Sequence, residues 1–386
     1  MEEEVVLSAK SKKLDILLCV LLGVLGVHRL YEGKRITGIL YLFTFGGFGL
    51  GVCLDLMQLI FGLRTDKKGL PIGVPGFKLR RMRVMSSMLG VLLWITGGFL
   101  SIHYITNLPM IRADYYTRVY AAAPLEKKYT QPGPFETSSD QYKSKETFFD
   151  TYKIWYPTAI KQSHTLYPIV VFANGSGIPF FKYEAIFNHL ASWGFIVIGN
   201  DDSDSWSGQS SSDALHFLWS LNQDRNSPFY NRLDTQHIGI AGHSQGGVGV
   251  INAVTEFDNS NRFTSMYTAS ATELKLSNAL KWNYDVTKIH IPYLMVAGTG
   301  EADANLIAPL TSLRENYNRV NEGALTIMAR RKGANHGDML ADADGYMTAW
   351  FRYTLLQDPE AARVFTGSNP ELVQNKTNWQ DVQMKM

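Results

Sequence analysis

Apolar residues are distributed very unevenly along this chain: the long uncharged runs all fall before about residue 105, and beyond that point apolar residues come in short bursts between polar turns. The early runs are Ile16 to Val27, Ile36 to Leu63 and Val84 to Ile105, the second interrupted only by threonines, Gln58 and Asp55. At ~1.5 Å rise per residue, the second and third are long enough to cross ~30 Å of hydrocarbon. The first becomes so if it extends through Leu30 and Tyr31, or if its basic end snorkels to the interface. The pattern predicts three membrane spans. A signal peptide fits less well, because no small-x-small cleavage pattern follows Val27 and two further runs come after it.

Between the second and third runs lie Arg64, Lys67, Lys68, Lys78, Arg80, Arg81 and Arg83. So dense a cationic loop beside a membrane is retained on the cytoplasmic side. The expectation is an integral protein of the cytoplasmic membrane, its N-terminus cytoplasmic and everything after Ile105 outside.

From Asn107 to about Tyr152 the chain is polar and mixed, with Pro109, Pro124, Pro132 and Pro134, as in a linker running into an edge strand. Next, Pro168 to Asn174 reads as a buried strand, Tyr183 to Trp193 as a helix, and Phe195 to Gly199 as a second strand ending in the acidic turn Asn200 to Ser205. Helix Asp213 to Asn222, strand His237 to Ala241, helix Val248 to Val254, strand Ile291 to Thr299, helix Leu310 to Val320 and a last strand, Ala324 to Arg330, complete the pattern. In the polar tail from Asp358 onward, Phe365 and Trp379 stand out as packing points. Uninterrupted apolar strands alternating with helices imply a mostly parallel sheet covered on both faces, in an α/β fold. The expected organisation is a membrane anchor over residues 1–105, with a helix pair at about 10–63 and a third span at about 84–105. A linker and edge region over 106–147 and a catalytic domain over 148–386 follow.

Charge and cysteine change this picture little. With 37 Lys+Arg against 35 Asp+Glu, the chain is no nucleic-acid binder by charge. Cys19 and Cys53 both lie in the apolar runs, so the C-terminal region holds no disulfide.

Gly23, Gly26, the stretch His28-Arg29-Leu30-Tyr31-Glu32-Gly33 and Leu54-Asp55-Leu56 resemble the small two-helix (TM2-type) membrane domain over roughly residues 10–72. The resemblance implies anchoring in a lipid bilayer. An acid within a span is costly and marks function by default, but Asp55 lies near a helix end, where it pairs with Arg29 or snorkels as readily as it serves a function.

The decisive segment is Gly242-His243-Ser244-Gln245-Gly246 between a predicted strand and a predicted helix. A Gly-x-Ser-x-Gly turn strains the serine backbone and projects its hydroxyl above the sheet, and glycines two residues either side avoid clashes. Ser244 is the candidate nucleophile, and the Gln245 N–H at the helix start is a candidate oxyanion donor. The bland alternative is a glycine-rich loop with an inert serine. Serine needs a base, which in this fold comes late in the chain. His336 fits, just after the predicted last strand. His290 stands before a strand, at the wrong sheet edge, and His243 reads as a packing residue. The acid belongs in the loop after Ile291 to Thr299, where Glu301 and Asp303 both qualify by position. A second oxyanion donor is expected from Ala173-Asn174-Gly175-Ser176-Gly177, with the Ser176 N–H chosen over a mere tight turn. Phe180, Phe181, Trp206 and Trp219 are candidates for an apolar acyl pocket, although such spacing also suits core residues.

From about Phe148 onward the chain resembles the polyester-hydrolase, cutinase-like and chlorophyllase-like branch of α/β-hydrolases. The resemblance rests on His-Leu-Ala-Ser-Trp-Gly-Phe-Ile-Val-Ile at 189–198, Gly-His-Ser-Gln-Gly-Gly at 242–247 and Ala308-Pro309. It implies a serine esterase working through an acyl-enzyme without metal or cofactor. Ser244, His336 and Asp303 are the implied triad, and Ser176 and Gln245 the oxyanion donors. The stretch Ala304 to Ile307 ahead of Ala308-Pro309 is slightly longer than in cutinase-like members. Asn174 and Ser176 stand where polyester hydrolases carry proline and an aromatic residue, which leaves the acyl group open. The expected substrate is a small or lipid-like ester. Transfer of the acyl group to an envelope acceptor, or a catalytically silent binding module, are the competing functions.

Overall fold

Strands rich in β-branched and aromatic residues, with no polar position to offer solvent, are stable only where both faces are covered. The computed structural model, which describes residues 6–73, 79–162 and 164–386, puts those runs at the centre of one nine-stranded sheet. In chain order the strands are β1 (Thr137–Lys143), β2 (Thr151–Pro157), β3 (Tyr167–Ala173), β4 (Ile196–Asn200), β5 (Leu233–His243), β6 (Ser265–Ala269), β7 (Tyr293–Gly298), β8 (Thr326–Arg331) and β9 (Trp379–Lys385). Their spatial order is β1-β2-β4-β3-β5-β6-β7-β8-β9. From β4 to β8 all neighbours are parallel, while β1, β2 and β9 pair antiparallel at the edges.

The chain divides into two units, Met1–Leu108 and Pro109–Met386. In the first, helix α1 (Lys12–Leu22) is followed by α2 (Val27–Tyr31), α3 (Arg35–Phe48), α4 (Leu50–Ile60) and α5 (Leu79–Asn107). The second adds α6 (Pro124–Thr130), α7 (Glu184–Ser192), α8 (Gln209–Gln223), α9 (Gln245–Thr255), α10 (Leu274–Ala279), α11 (Leu310–Arg319), α12 (Met339–Asp342) and α13 (Asp344–Leu356). One face of the sheet packs under α7 and α13 through Phe187, Leu190, Tyr346 and Trp350. The other packs under α8, α9 and α11 through Leu215, Leu218, Val250 and Leu313.

Two expectations for the larger unit change. The strand at 326–331 is not the last, because β9 continues the sheet beyond it, and Arg330 reaches Asp381 of β9 at 2.8 Å. The segment read as a linker is packed from Pro109 onward: Tyr115 and Tyr129 belong to the core, and Tyr115 donates to Asp344 at 2.5 Å. Glu126, on α6, is buried and accepts from the Ala122 N–H, the Asn375 and Asn378 amides and the Trp379 indole N–H, all within 2.9 Å. Glu371 in turn accepts from the Leu125 and Glu126 N–H groups at 2.8 Å, satisfying two orphan donors at the start of α6.

The membrane unit departs further from expectation. Helix α1 has 11 residues and stops at Gly23, well short of the ~20 that a span requires. The run Ile36 to Leu63 is no straight span: α3 and α4 meet at 106°, because Phe45 to Gly49 all take left-handed backbone with φ between 47° and 80°. The run folds back on itself, so that the Lys67 N–H donates to the Glu32 carbonyl at 3.0 Å and Arg64 pairs with Glu32. Among the described residues, one helix, Met82–Asn107, is long and apolar enough to cross a membrane, or two elements if the bent pair counts as one. Asp55 is buried and does not snorkel; it pairs with Arg29 as one reading of the sequence has it, accepting from Arg29 Nε (2.6 Å), and also from His28 Nε2 (2.9 Å) and Arg64 Nη1 (2.6 Å). Of the cationic loop, Lys78 lies outside the described residues, as do the side chains of Arg80 and Arg81.

Candidate active site

Strand β5 ends at His243 and α9 begins at Gln245, so Ser244 alone makes the turn, at φ 59° and ψ −123°. A side chain at that φ is strained, and the surroundings hold it there. The Ser244 N–H donates to the Ala269 carbonyl at 3.0 Å, and its own carbonyl accepts from the Gly247 N–H at 2.9 Å. A Cβ on Gly242 would lie 2.4 Å from the Gly246 carbonyl oxygen, and one on Gly246 would lie 2.1 Å from that of Ala173. Both glycines of the motif are required by close backbone approach.

Asp303 opens a π-turn at the carboxyl end of β7, and its carbonyl accepts from the Ala308 N–H at 3.1 Å. The additional residues before Ala308-Pro309 are taken up in this turn, an arrangement common at functional sites. The carboxylate is fully buried. Oδ1 accepts from His336 Nδ1 at 2.7 Å, while Oδ2 accepts from the Ser270 hydroxyl at 2.5 Å and the Gly298 N–H at 2.7 Å. Burial alone would raise its pKa, but the bonds from His336 and Ser270 prevail and hold it below the usual carboxylate range. With Nδ1 bonded to a carboxylate, the proton of neutral His336 sits on Nδ1 and Nε2 is left as an acceptor. Glu301 is exposed, as is His290, at the opposite end of β7.

His243 has a larger part than packing. Its ring lies 4.5 Å from that of His336, and its Nε2–H donates to the His336 carbonyl at 2.9 Å, which fixes the loop carrying that histidine. Burial first, then the neighbouring His336, pushes the His243 pKa down to about 4, so the imidazole stays neutral. Ser270 was not visible in the sequence either, since β6 and the turn after it carry serine and threonine in place of an apolar run.

Gln245 is the first residue of α9, so its N–H has no acceptor within the helix. Its buried side chain donates to Asp204 at 2.7 Å. In the loop after β3, the Gly175 N–H donates to the Tyr183 hydroxyl and the Gly177 N–H to the Ser203 carbonyl, both at 2.9 Å. That leaves the Ser176 N–H as the one in this turn with no acceptor among the described residues. Asn174, buried, donates to the Asn200 and Asp202 carbonyls at 2.7 and 2.9 Å and so ties this loop to the acidic turn after β4.

The four aromatic candidates separate. Phe180 is core, set against Trp155 and Phe187, and Trp219 is taken up by His216 and by Arg262 above it. Phe181 sits edge-on to Phe180, while Trp206 donates to the same Asp204 that holds Gln245. A cavity of about 410 Å³ lies elsewhere, lined by Met110, Ile111, Val119, Gly337 and Ala341 together with the charged Arg112, Arg118, Asp338 and Asp342.

Comparison with known proteins gives the larger unit a family. Residues 122–380, two thirds of the chain, match the PET hydrolase-like family. The chain belongs to that family. Its larger unit is thereby placed among ester hydrolases. Residues 8–57 of this PET hydrolase-like protein match the TM2 domain, and a TM2 domain-containing protein of Dictyostelium discoideum is 49% identical over 43 residues. That similarity covers 11% of the chain and spans 31% of the Dictyostelium protein, so it concerns the membrane unit alone. Together with the apolar α5, the TM2 domain marks a membrane protein.

Proposed function

We propose that the protein is a membrane-anchored serine esterase that cleaves carboxylic esters through an acyl-enzyme, with Ser244, His336 and Asp303 as its triad. The observation that carries the reading is the Asp303–His336 hydrogen bond, formed at the carboxyl edge of the sheet where Ser244 occupies its strained turn. Ser244 Oγ attacks the ester carbonyl while His336 Nε2 takes its proton, and Asp303 stabilises the resulting imidazolium. The oxyanion is received by the N–H groups of Gln245 and Ser176. His336 returns the proton to the departing alkoxide as the carbon–oxygen bond breaks, and water, activated by the same histidine, then releases the acid. Substrates are small or lipid-like esters, and no metal or cofactor takes part.

The positive-inside rule, applied to Arg64, Lys67 and Lys68 ahead of α5 and Arg83 in its first turns, argues for that end lying in the cytoplasm and the esterase outside. The fold-back of α3 and α4 brings Arg29, Lys34 and Arg35 to the same side as Arg64 and Lys67, which adds to the bias. Protease added to intact spheroplasts of an expressing host is expected to release the unit beyond Asn107; cleavage only after lysis would reverse the orientation. For the chemistry, a fluorophosphonate probe is expected to label the wild type and not Ser244→Ala. That variant should stay folded and lose ~10⁶ in kcat on a p-nitrophenyl ester. Near-full turnover by Ser244→Ala would remove the nucleophile and the mechanism with it.

A further inference from the structure

The fold-back of the membrane unit builds a second site of a different chemistry. The turn between α2 and α3 and the segment after α4 face each other across a cavity of about 710 Å³, and Arg29, Lys34, Arg35, Arg64 and Lys67 all line it. No acid lines it. The carboxylates nearby lie behind these cations: Asp55 bonds Arg29 and Arg64, and Glu32 bonds Lys34 and Arg64. Even with buried Asp15 counted as ionised, five cations stand against three carboxylates, and the two side chains left over are Arg35 and Lys67. Neither has a hydrogen-bond or ion-pair partner among the described residues. The side chains of Arg64 and Arg29 are only 8% and 17% exposed, so two of the guanidinium groups are held in place before anything binds.

Two features point to what belongs there. The first turn of α3, at Ile36 and Thr37, opens into the cavity with no side-chain cap on its N–H groups. The start of α3, regular from Arg35 until the left-handed backbone at Phe45, combined with guanidinium groups suits a tetrahedral oxyanion, to which arginine binds through paired N–H donors. From the cavity, Ile36, Ile39, Leu40 and Phe43 then run along one side of α3 at helical spacing, all exposed, with Ile36 at 84%. A charged hole opening onto an apolar stripe has the shape of a head group followed by its chain.

We propose that the TM2 unit binds the phosphate group of a phospholipid between Arg35, Lys67, Arg29 and Arg64, with an acyl chain lying along Ile36, Ile39, Leu40 and Phe43. The site is independent of the hydrolase and stands whether or not the esterase reading does. Lysine and arginine neutralise the phosphate and α3 supplies its free N–H groups, while Asp55 and Glu32 fix the cations from behind.

The test uses the full chain in detergent micelles, with binding read by native mass spectrometry. The probes are dioctanoyl phosphatidylglycerol, dioctanoyl glycerol and inorganic phosphate. The phospholipid is expected to bind at least tenfold more tightly than the other two. Arg35→Gln combined with Lys67→Gln should cost at least tenfold in that affinity, whereas Lys68→Gln, a neighbouring cation outside the cavity, should leave it within twofold. Because Arg35 and Lys67 hold nothing else together, the double variant should keep its thermal unfolding temperature, so a loss of binding cannot be ascribed to misfolding. Equal affinity for inorganic phosphate would assign the same site to a soluble phosphate. Dioctanoyl glycerol binding as tightly as the phospholipid, or a double variant with unchanged affinity, would overturn the proposal.

Discussion

Among the buried aspartates, Asp55 of the first unit and Asp303 of the second are held in opposite ways. Asp55 accepts from two guanidinium groups and His28, so its countercharge is permanent. Asp303 accepts from a hydroxyl, a backbone N–H and His336, with no arginine or lysine, so its only cation is one that appears when His336 gains a proton. A carboxylate saturated by fixed cations has nothing further to do and serves the fold. A carboxylate held by neutral donors beside a titrating imidazole is poised to stabilise a charge that comes and goes during turnover. The want of fixed cations is not sufficient by itself: Asp344, buried and bonded by Tyr115 and His189, has none either, and it is set apart from Asp303 by lying away from the turn that carries Ser244.

The sharpest way to break that distinction is to neutralise both acids. Asp303→Asn offers His336 an amide and favours the wrong tautomer, so kcat for a p-nitrophenyl ester is expected to fall by ~10⁴ while thermal unfolding moves little. In Asp55→Asn the result should be reversed: Arg29 and Arg64 lose the carboxylate they share, keeping only Tyr41 and Glu32, at a cost of ~1–3 kcal/mol, and the full chain in detergent should lose monodispersity by size exclusion. Esterase activity per folded molecule should be unchanged. If Asp303→Asn unfolded the protein and Asp55→Asn merely slowed it, the comparison would be wrong.

A smaller effect tests the histidine pair. Unfolded, His243 takes up a proton near pH 6.5, and in the fold it resists to about 4. The unfolded chain thus binds more protons between those values, so this group makes stability rise with pH from about 4 to 6.5 and contributes fully above it. The depression corresponds to about 3 kcal/mol lost on acidification through that window. His243→Asn should flatten the pH dependence of the unfolding temperature there; an unaltered slope would show that the imidazole is charged in the fold. Smallest of all, Glu301→Gln should change kcat less than ~2-fold, since an exposed carboxylate with no bond to His336 exerts only a screened field. A loss approaching that of Asp303→Asn would make Glu301 the triad acid.

Much of this was legible in the sequence where the physics is local. The parallel strands β3, β4, β5 and β7 are short apolar runs because both faces are buried, and the elbow is a five-residue pattern whose glycines are demanded by contacts within the turn. The edge strands were legible only in part: the stretch up to Tyr152 reads as running into an edge strand, but the bounds of β1 and the existence of β9 do not show. In β1, Thr-Ser-Ser-Asp-Gln-Tyr-Lys reads as loop because an edge strand wets one face, and β9 is polar for the same reason. The neutral donors around Asp303 come from β6 and β7, which pair only in the folded sheet, so Ser270 had no local signal. Likewise, hydropathy sees the apolar run from Ile36 to Leu63 as one span, because composition does not register that Phe45 to Gly49 reverse the helix.

Glu126 bears on timing. Three of its four donors lie on residues 375–379, 249 to 253 positions further along the chain. At ~5–20 residues per second of synthesis, α6 leaves the ribosome some ~12–50 s before its partners exist. Until then the carboxylate stays hydrated and β8 presents an unpaired edge. A chain that stops short of Asn375 must either bury an acid with a single donor or leave the first helix of the larger unit undocked. Early termination therefore yields a substrate for chaperones and proteases rather than a slow enzyme: the opening of the fold is sealed by its final residues.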